Sequence, residues 1–163
     1  MLPSISAAHQ RIQELKSVSV PRGIRARVYN SANIAITTAT LTALTFNSER
    51  YDTDAFHSTV SNTSRLTIPF DGYYRVTGTI AWAANATGSR QARIVLNNTT
   101  ILALVLYPVS HATEVSIMQV TADYFFTAGD YAELVVFQNS GGNLNVTAAG
   151  NYSPEFWIDR LIT

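Results

Sequence analysis

A chain of 163 residues with eleven basic and eleven acidic side chains, 13% charged residues in all and no cysteine, has room for one domain with a sizeable core and not for two comfortable ones. The missing thiols exclude disulfides and cysteine-based metal sites, and the balanced charge without a basic stripe argues against nucleic-acid binding. Thr, Ser and Asn stand where charge would, which suits exposed strand faces, and a neutral surface favours self-association.

Residues 1–23 differ from the rest. Ile5, Ala8, Ile12 and Leu15 follow the a/d spacing of a heptad seam, with Ser4 placed as a helix cap behind Pro3. Two readings follow: an amphipathic helix lying on its own domain, or a tether that bundles with copies of itself or docks on a larger assembly. "SVSVPRG", with Pro21 and Gly23, reads as a hinge. The expected division is therefore an N-terminal attachment arm, 1–23, and a domain, 24–163. The opening "MLPSISAAHQ" lacks the basic and apolar regions of a signal peptide, and "TILALVLYPV" is too short for a membrane span. Synthesis in the cytosol is expected, and the sequons at Asn62, Asn85, Asn97, Asn98, Asn145 and Asn151 are read as a product of composition.

From Ile24 onward strand follows strand. Ile24, Ala26 and Val28 alternate with Arg25, Arg27 and Tyr29. "ATLTALTF" places Leu41 out of step with Leu44 and Phe46, which predicts a bend near Ala43. "SRLTIPF" sets Leu66, Ile68 and Phe70 against Arg65 and Thr67. In "FDGYYRVTGTIAW" an Asp-Gly turn opens a strand whose Tyr74, Val76, Ile80 and Trp82 share one face, while Tyr73, Arg75, Thr77 and Thr79 share the other. "SRQARIVL" alternates Ala92, Ile94 and Leu96 with Gln91, Arg93 and Val95, and Asn97-Asn98 then makes a tight hairpin turn. "TILALVLYP", "EVSIMQVTADYFF", "DYAELVVFQ", "GNLNVTA" and "PEFWIDRLI" supply the remaining strands. About eight to ten short strands, with no helical period after residue 17, predict an all-β antiparallel sandwich.

Catalytic signatures are missing. The histidines are His9, His57 and His111, and Ser58, His57 and Asp54 are loop neighbours without an oriented base or oxyanion hole. Asp52, Asp54 and His57 begin like a calcium loop but lack its glycine and distal glutamate. Glu49, Glu114, Glu133 and Glu155 lie on different elements with no signature around them, and "ATGS" is only a turn. A non-enzyme without cofactor or metal is expected.

Two stretches carry a resemblance. "FDGYYRVTGTIAW" resembles the Gly-x-Tyr strand of the complement globular-head and tumour-necrosis-factor-like family, and "FFTAGDYAELVVFQNSGG" is similar to that family's later hairpin. "SPEFWIDRLI" corresponds to its last strand. The resemblance spans most of residues 24–163 and implies a ten-stranded jelly roll that assembles as a homotrimer. "WAANATGSRQARIVLNN" and "FQNSGGNLNV" look like phrases of bacteriophage structural proteins. No Gly-X-Y stalk precedes the domain, and Trp157-Ile158-Asp159 stands where the last strand often has a small residue.

The strand at 131–138 is apolar on both faces, with Ala132, Leu134 and Val136 on one and Tyr131, Val135 and Phe137 on the other, and so asks for cover on both. That cover comes either from a threefold interface or from the N-terminal segment. The interface reading assigns subunit contacts to Tyr73, Tyr131, Val135, Phe137 and Trp157. The expected function is a homotrimeric head-decoration or cement subunit of a bacteriophage virion, made in the host cytoplasm and attached to capsid or tail proteins through Ile5, Ala8, Ile12 and Leu15. The alternative is a tail-tip or fibre module that binds host-surface carbohydrate through Tyr51, Phe56, Tyr107 and Tyr152. A secreted trimeric signalling ligand, a third reading, has neither export signal nor cysteine to support it.

Overall fold

A computed structural model describes residues 23–109 and 113–161. The proposed arm residues Ile5, Ala8, Ile12 and Leu15 lie outside this range, as does His111. Among the described residues there are twelve strands and no helix. They are β1 (Arg25–Tyr29), β2 (Ile34–Ile36), β3 (Thr42–Ala43), β4 (Ser48–Asp52), β5 (Arg65–Thr67), β6 (Gly72–Trp82), β7 (Ser89–Leu96), β8 (Thr100–Pro108), β9 (Ser116–Phe126), β10 (Tyr131–Gln138), β11 (Leu144–Val146) and β12 (Glu155–Arg160). The count exceeds the eight to ten expected because β2, β3, β5 and β11 have three residues or fewer, too few for an alternating pattern to register.

The strands form two antiparallel sheets packed face to face. In the seven-stranded sheet β6 is central. Along its whole length it pairs with β9, Gly72 opposite Phe126 through Trp82 opposite Ser116. Its other side meets β12 and then β11, beyond which lie β1, β4 and β2. In the five-stranded sheet β10 pairs with β7, which pairs with β8, and the far side of β10 meets the short β3 and β5. The sandwich therefore has two unlike sides: β8 and β9, long and adjacent across the gap, and opposite them the short or charged β2, β3, β4 and β5.

The core lies between the sheets and follows the predicted alternation. Tyr74, Val76, Ile80 and Trp82 of β6 are fully buried, as are Ala132, Leu134 and Val136 of β10. Rings lock the far end: Phe46 stacks on Phe156 at 5.7 Å, and Phe56 and Phe126 meet Tyr74 edge-on. Gly78, an inward position of β6 without a side chain, lets the sheets close. A Cβ there would sit 2.6 Å from Leu134 Cδ1, well inside van der Waals contact. Asn97 and Asn98 both take positive φ, 49° and 58°, and turn β7 into β8 as expected. The Asn97 amide also bonds Asp130 Oδ1 at 2.8 Å and so ties this turn to the one before β10.

One expectation about side-chain direction changes. Phe70 does not continue the inward row of Leu66 and Ile68. Pro69 stands outside any strand, Phe70 is about half exposed, and its carbonyl accepts the Tyr74 hydroxyl at 2.8 Å. Leu41 is exposed while Leu44 and Phe46 are buried, out of step as expected, and the Leu44 N–H bonds the Leu134 carbonyl of β10 at 2.9 Å.

Candidate assembly interface

The side formed by β8 and β9 has the composition of an interior while lying on the surface. β8 carries no charged residue over its nine positions, and β9 carries only Asp123 over eleven. Ladder partners share a face, so Ile101, Leu104 and Leu106, opposite Val95, Arg93 and Gln91, point outward from the five-stranded sheet. Ile117 and Phe125 point outward from the other sheet, opposite Ala81 and Tyr73. Tyr107 and Tyr124 point between the sheets and emerge at the open side, Tyr124 edge-on to Phe126 at 5.3 Å. Leu104 is 48% exposed, Ile117 54% and Tyr107 51%. Together they give two neighbouring strands a strip of exposed apolar side chains, on the outer faces of both sheets and along the side between them. Exposed apolar surface of this kind marks a contact surface, and long flat apolar edges are ready templates for another chain.

Beside the strip, the outer face of the seven-stranded sheet is polar and relieved. A shallow depression of about 630 Å³ is lined by Arg75, Thr77, Gln119, Thr121, Asp123 and Trp157. Arg75 grips Asp123 through Nε and Nη2 at 2.8 and 2.7 Å, which holds the Asp123 carboxyl below its usual range. Further across, guanidinium groups lie on rings: Arg27 over Trp157 at 4.9 Å, Arg25 over Tyr51 at 5.1 Å and Arg50 over Tyr29 at 4.2 Å. Arg27 and Arg50 converge on Glu155, whose side chain is fully buried, at 2.5 and 2.6 Å. Burial raises the Asp159 carboxyl above its ordinary value, against the pull of Arg25 and Arg75.

The five residues assigned to subunit contacts do not come together. Tyr73 lies beside the apolar strip, edge-on to Phe125 at 5.2 Å, and Trp157 lies on the same sheet, partly covered by Arg27. Tyr131, Val135 and Phe137 occupy the outer face of the other sheet, which also carries Leu104, and so look away from Tyr73 and Trp157. There Val135 is only 9% exposed within the single chain, flanked by Arg93 and Ala43, and Tyr131 is capped by the Arg65 guanidinium at 3.9 Å.

The expected carbohydrate contacts also separate. Phe56 must be withdrawn: it is 1% exposed and packs in the core against Tyr74. The cause is local. Asp52 accepts the backbone N–H groups of Asp54, Phe56 and His57 at 2.9 to 3.2 Å, curling the loop so that the ring turns inward. The His57 side chain is buried by the same turn, between Glu49 Oε1 at 2.9 Å and the Thr63 carbonyl at 3.2 Å. Tyr51 and Tyr107 sit on strands and Tyr152 in the 147–154 loop, all with exposed rings.

Sequence reasoning missed the strip formed by Ile101, Leu104, Leu106, Tyr107, Ile117, Tyr124 and Phe125. The signal was present in "TILALVLYP", apolar at both parities of a strand, but its place at a sheet edge depends on topology.

No protein-family model matches the chain, and neither does any curated protein. Solved structures do. Eiger TNF from S. frugiperda superposes with a TM-score of 0.62 at 14% identity, covering 86% of this chain and 93% of that one. Murine APRIL at pH 8.0 gives 0.65 at 6% identity, covering 86% of this chain and all of that one, and the same protein at pH 5.0 gives 0.63 at 7%. At these identities the likeness shows the fold: a tumour-necrosis-factor-like jelly roll.

Proposed function

We propose, taking the tumour-necrosis-factor-like jelly roll as the premise, that this chain is a non-enzymatic structural protein acting as a closed homotrimer, and that it decorates a bacteriophage head as a cement subunit. The observation that carries the assembly is the apolar side built by β8 and β9. A closed ring of three covers that side on every copy and leaves no strand edge for further addition. The neutral, weakly charged composition supports the same reading.

In this reading the contact draws on Tyr73 and its neighbours on β9, with β8, and leaves Tyr131, Val135 and Phe137 outside it. The virion setting rests on the phage-like phrases "WAANATGSRQARIVLNN" and "FQNSGGNLNV". Residues 1–20 supply the grip on the shell. Cementing then follows from mass action: a subunit that binds the assembled shell and not its parts stabilises the shell by RT ln(1 + [L]/Kd) per site. The exposed rings of Tyr51, Tyr107 and Tyr152 favour a second reading, a tail-tip or fibre module that stacks on host-surface sugars.

Light scattering behind a sizing column at low micromolar concentration tests the assembly. Three chains of 17.8 kDa give about 53 kDa, and a monomer that persists on concentration overturns the proposal. Deleting residues 2–20 separates the two settings. Loss of particle binding with the trimer intact supports decoration, whereas retained binding to host cells supports the receptor module.

A further inference from the structure

At one end of the sandwich interior a cation is buried without an anion. Arg90 lies on the inward face of β7, in line with Ala92 and Ile94, and is 1% exposed. Its guanidinium carbon stands 5.9 Å from the centre of the Trp82 ring, which the facing sheet contributes. Nη1 donates to the carbonyls of Thr87 and Ser89 at 2.9 and 3.0 Å, and Nη2 to that of Asn85 at 3.3 Å. Nε–H has no acceptor, and neither has the Nε1–H of the fully buried Trp82. Gln138, the ladder partner of Arg90, offers nothing: its Nε2 bonds the Ile36 and Gly142 carbonyls, and its Oε1 accepts Ser140 N–H.

Two other arginines show what this edge can hold. Arg75 turns Nε and Nη2 onto Asp123, and Arg50 turns the same edge onto Glu155. That edge is the guanidinium's bidentate anion fork. In Arg90 it is buried and faces no carboxylate among the described residues. Burial alone lowers the Arg90 pKa from its usual value, as expected for a charge opposed only by carbonyl dipoles.

We propose that Arg90 and Trp82 form an internal site for one small monovalent anion of halide size, held by the Arg90 Nε/Nη2 edge and the Trp82 indole N–H. A water molecule can accept from both donors and give its hydrogens to the remaining lone pairs of the Asn85, Thr87 and Ser89 carbonyls, but it leaves the buried guanidinium charge unopposed. A halide carries no hydrogen and neutralises the guanidinium. Its structural effect is to fasten the 83–88 loop and the start of β7, through the three carbonyls that Arg90 holds, to the end of β6.

The test is thermal melting of the full chain in sodium chloride or bromide against sodium gluconate at equal ionic strength, since gluconate is too large to enter. The expected result is a saturable rise in Tm in both halides, about 3–6 °C at ten times Kd. The rise should be absent in Arg90→Met and reduced in Trp82→Phe. For the unaltered protein, crystals soaked in bromide should show anomalous density within hydrogen-bond distance of both nitrogens. Equal melting in halide and gluconate, bromide only at the surface with water at this position, or an undiminished halide effect in Arg90→Met overturns the proposal.

Discussion

The two sides of this sandwich handle the same problem in opposite ways. On one, the strands are short or charged: β2, β3 and β5 have two or three residues, and β4 reads Ser-Glu-Arg-Tyr-Asp. Glu155 there clamps Arg27 and Arg50, so β1, β4 and β12 are joined by charge. On the other, β8 and β9 run nine and eleven residues with one charge between them. Charge and brevity are how a chain discourages strand addition. Their presence on one side shows that this chain can protect an edge, so their absence on the other reads as an edge meant to be covered.

The largest test of that contrast is Leu104→Asp combined with Ile117→Asp, which puts charge on an exposed apolar position of each strand. The expected outcome is a threefold fall in the mass seen by light scattering, with the far-ultraviolet circular dichroism of the sandwich unchanged. The matching change on the outer face of β10, Phe137→Ala with Tyr131→Ala, should leave the mass as it was. A mass loss there instead would move the interface to β10.

The protected side should break differently. Glu155→Ala leaves two arginines facing a buried gap, and because each arginine is partly exposed the expected cost is roughly 2–4 kcal/mol. It should appear in urea unfolding at a subunit concentration high enough to keep assembly unchanged. Gly78→Ala, midway between the two sides, sets a Cβ against Leu134 and should cost about 1–3 kcal/mol in the same measurement.

The smallest effect is at Asp159. Its folded pKa is raised, so its contribution is full below the unfolded carboxylate value and is lost as pH rises through the folded one. Asp159→Asn should therefore melt slightly higher than the natural chain at neutral pH, by under about 1 kcal/mol. The advantage should vanish on acidification below the carboxylate range. An equal gain at pH 3 and pH 7 would assign the effect to packing.

Much of the sandwich was legible because a half-buried strand writes its own parity. Tyr74 to Trp82 and Ala132 to Val136 announce their faces without reference to any neighbour. The site was less legible for two physical reasons. Which strand lies at an edge is fixed by pairing, so "TILALVLYP" reads the same whether central or terminal. Phe56 was misplaced because a loop aromatic follows local hydrogen bonds, here the three backbone N–H groups gathered by Asp52, and those leave no periodic trace. Tyr73 and Phe137 each have the pattern of a contact residue, yet parity along a strand does not say that their faces look away from each other.

The interlock of Gly78 with Leu134 makes the two sheets accountable to one another across the core. A bulkier residue at 78 is tolerable only if 134 shrinks at the same time, so among related sequences these positions, 56 apart in the chain, should vary as a correlated pair. A double variant such as Gly78→Ala with Leu134→Val should recover stability that either change alone removes, a non-additivity that two independent core sites would not show.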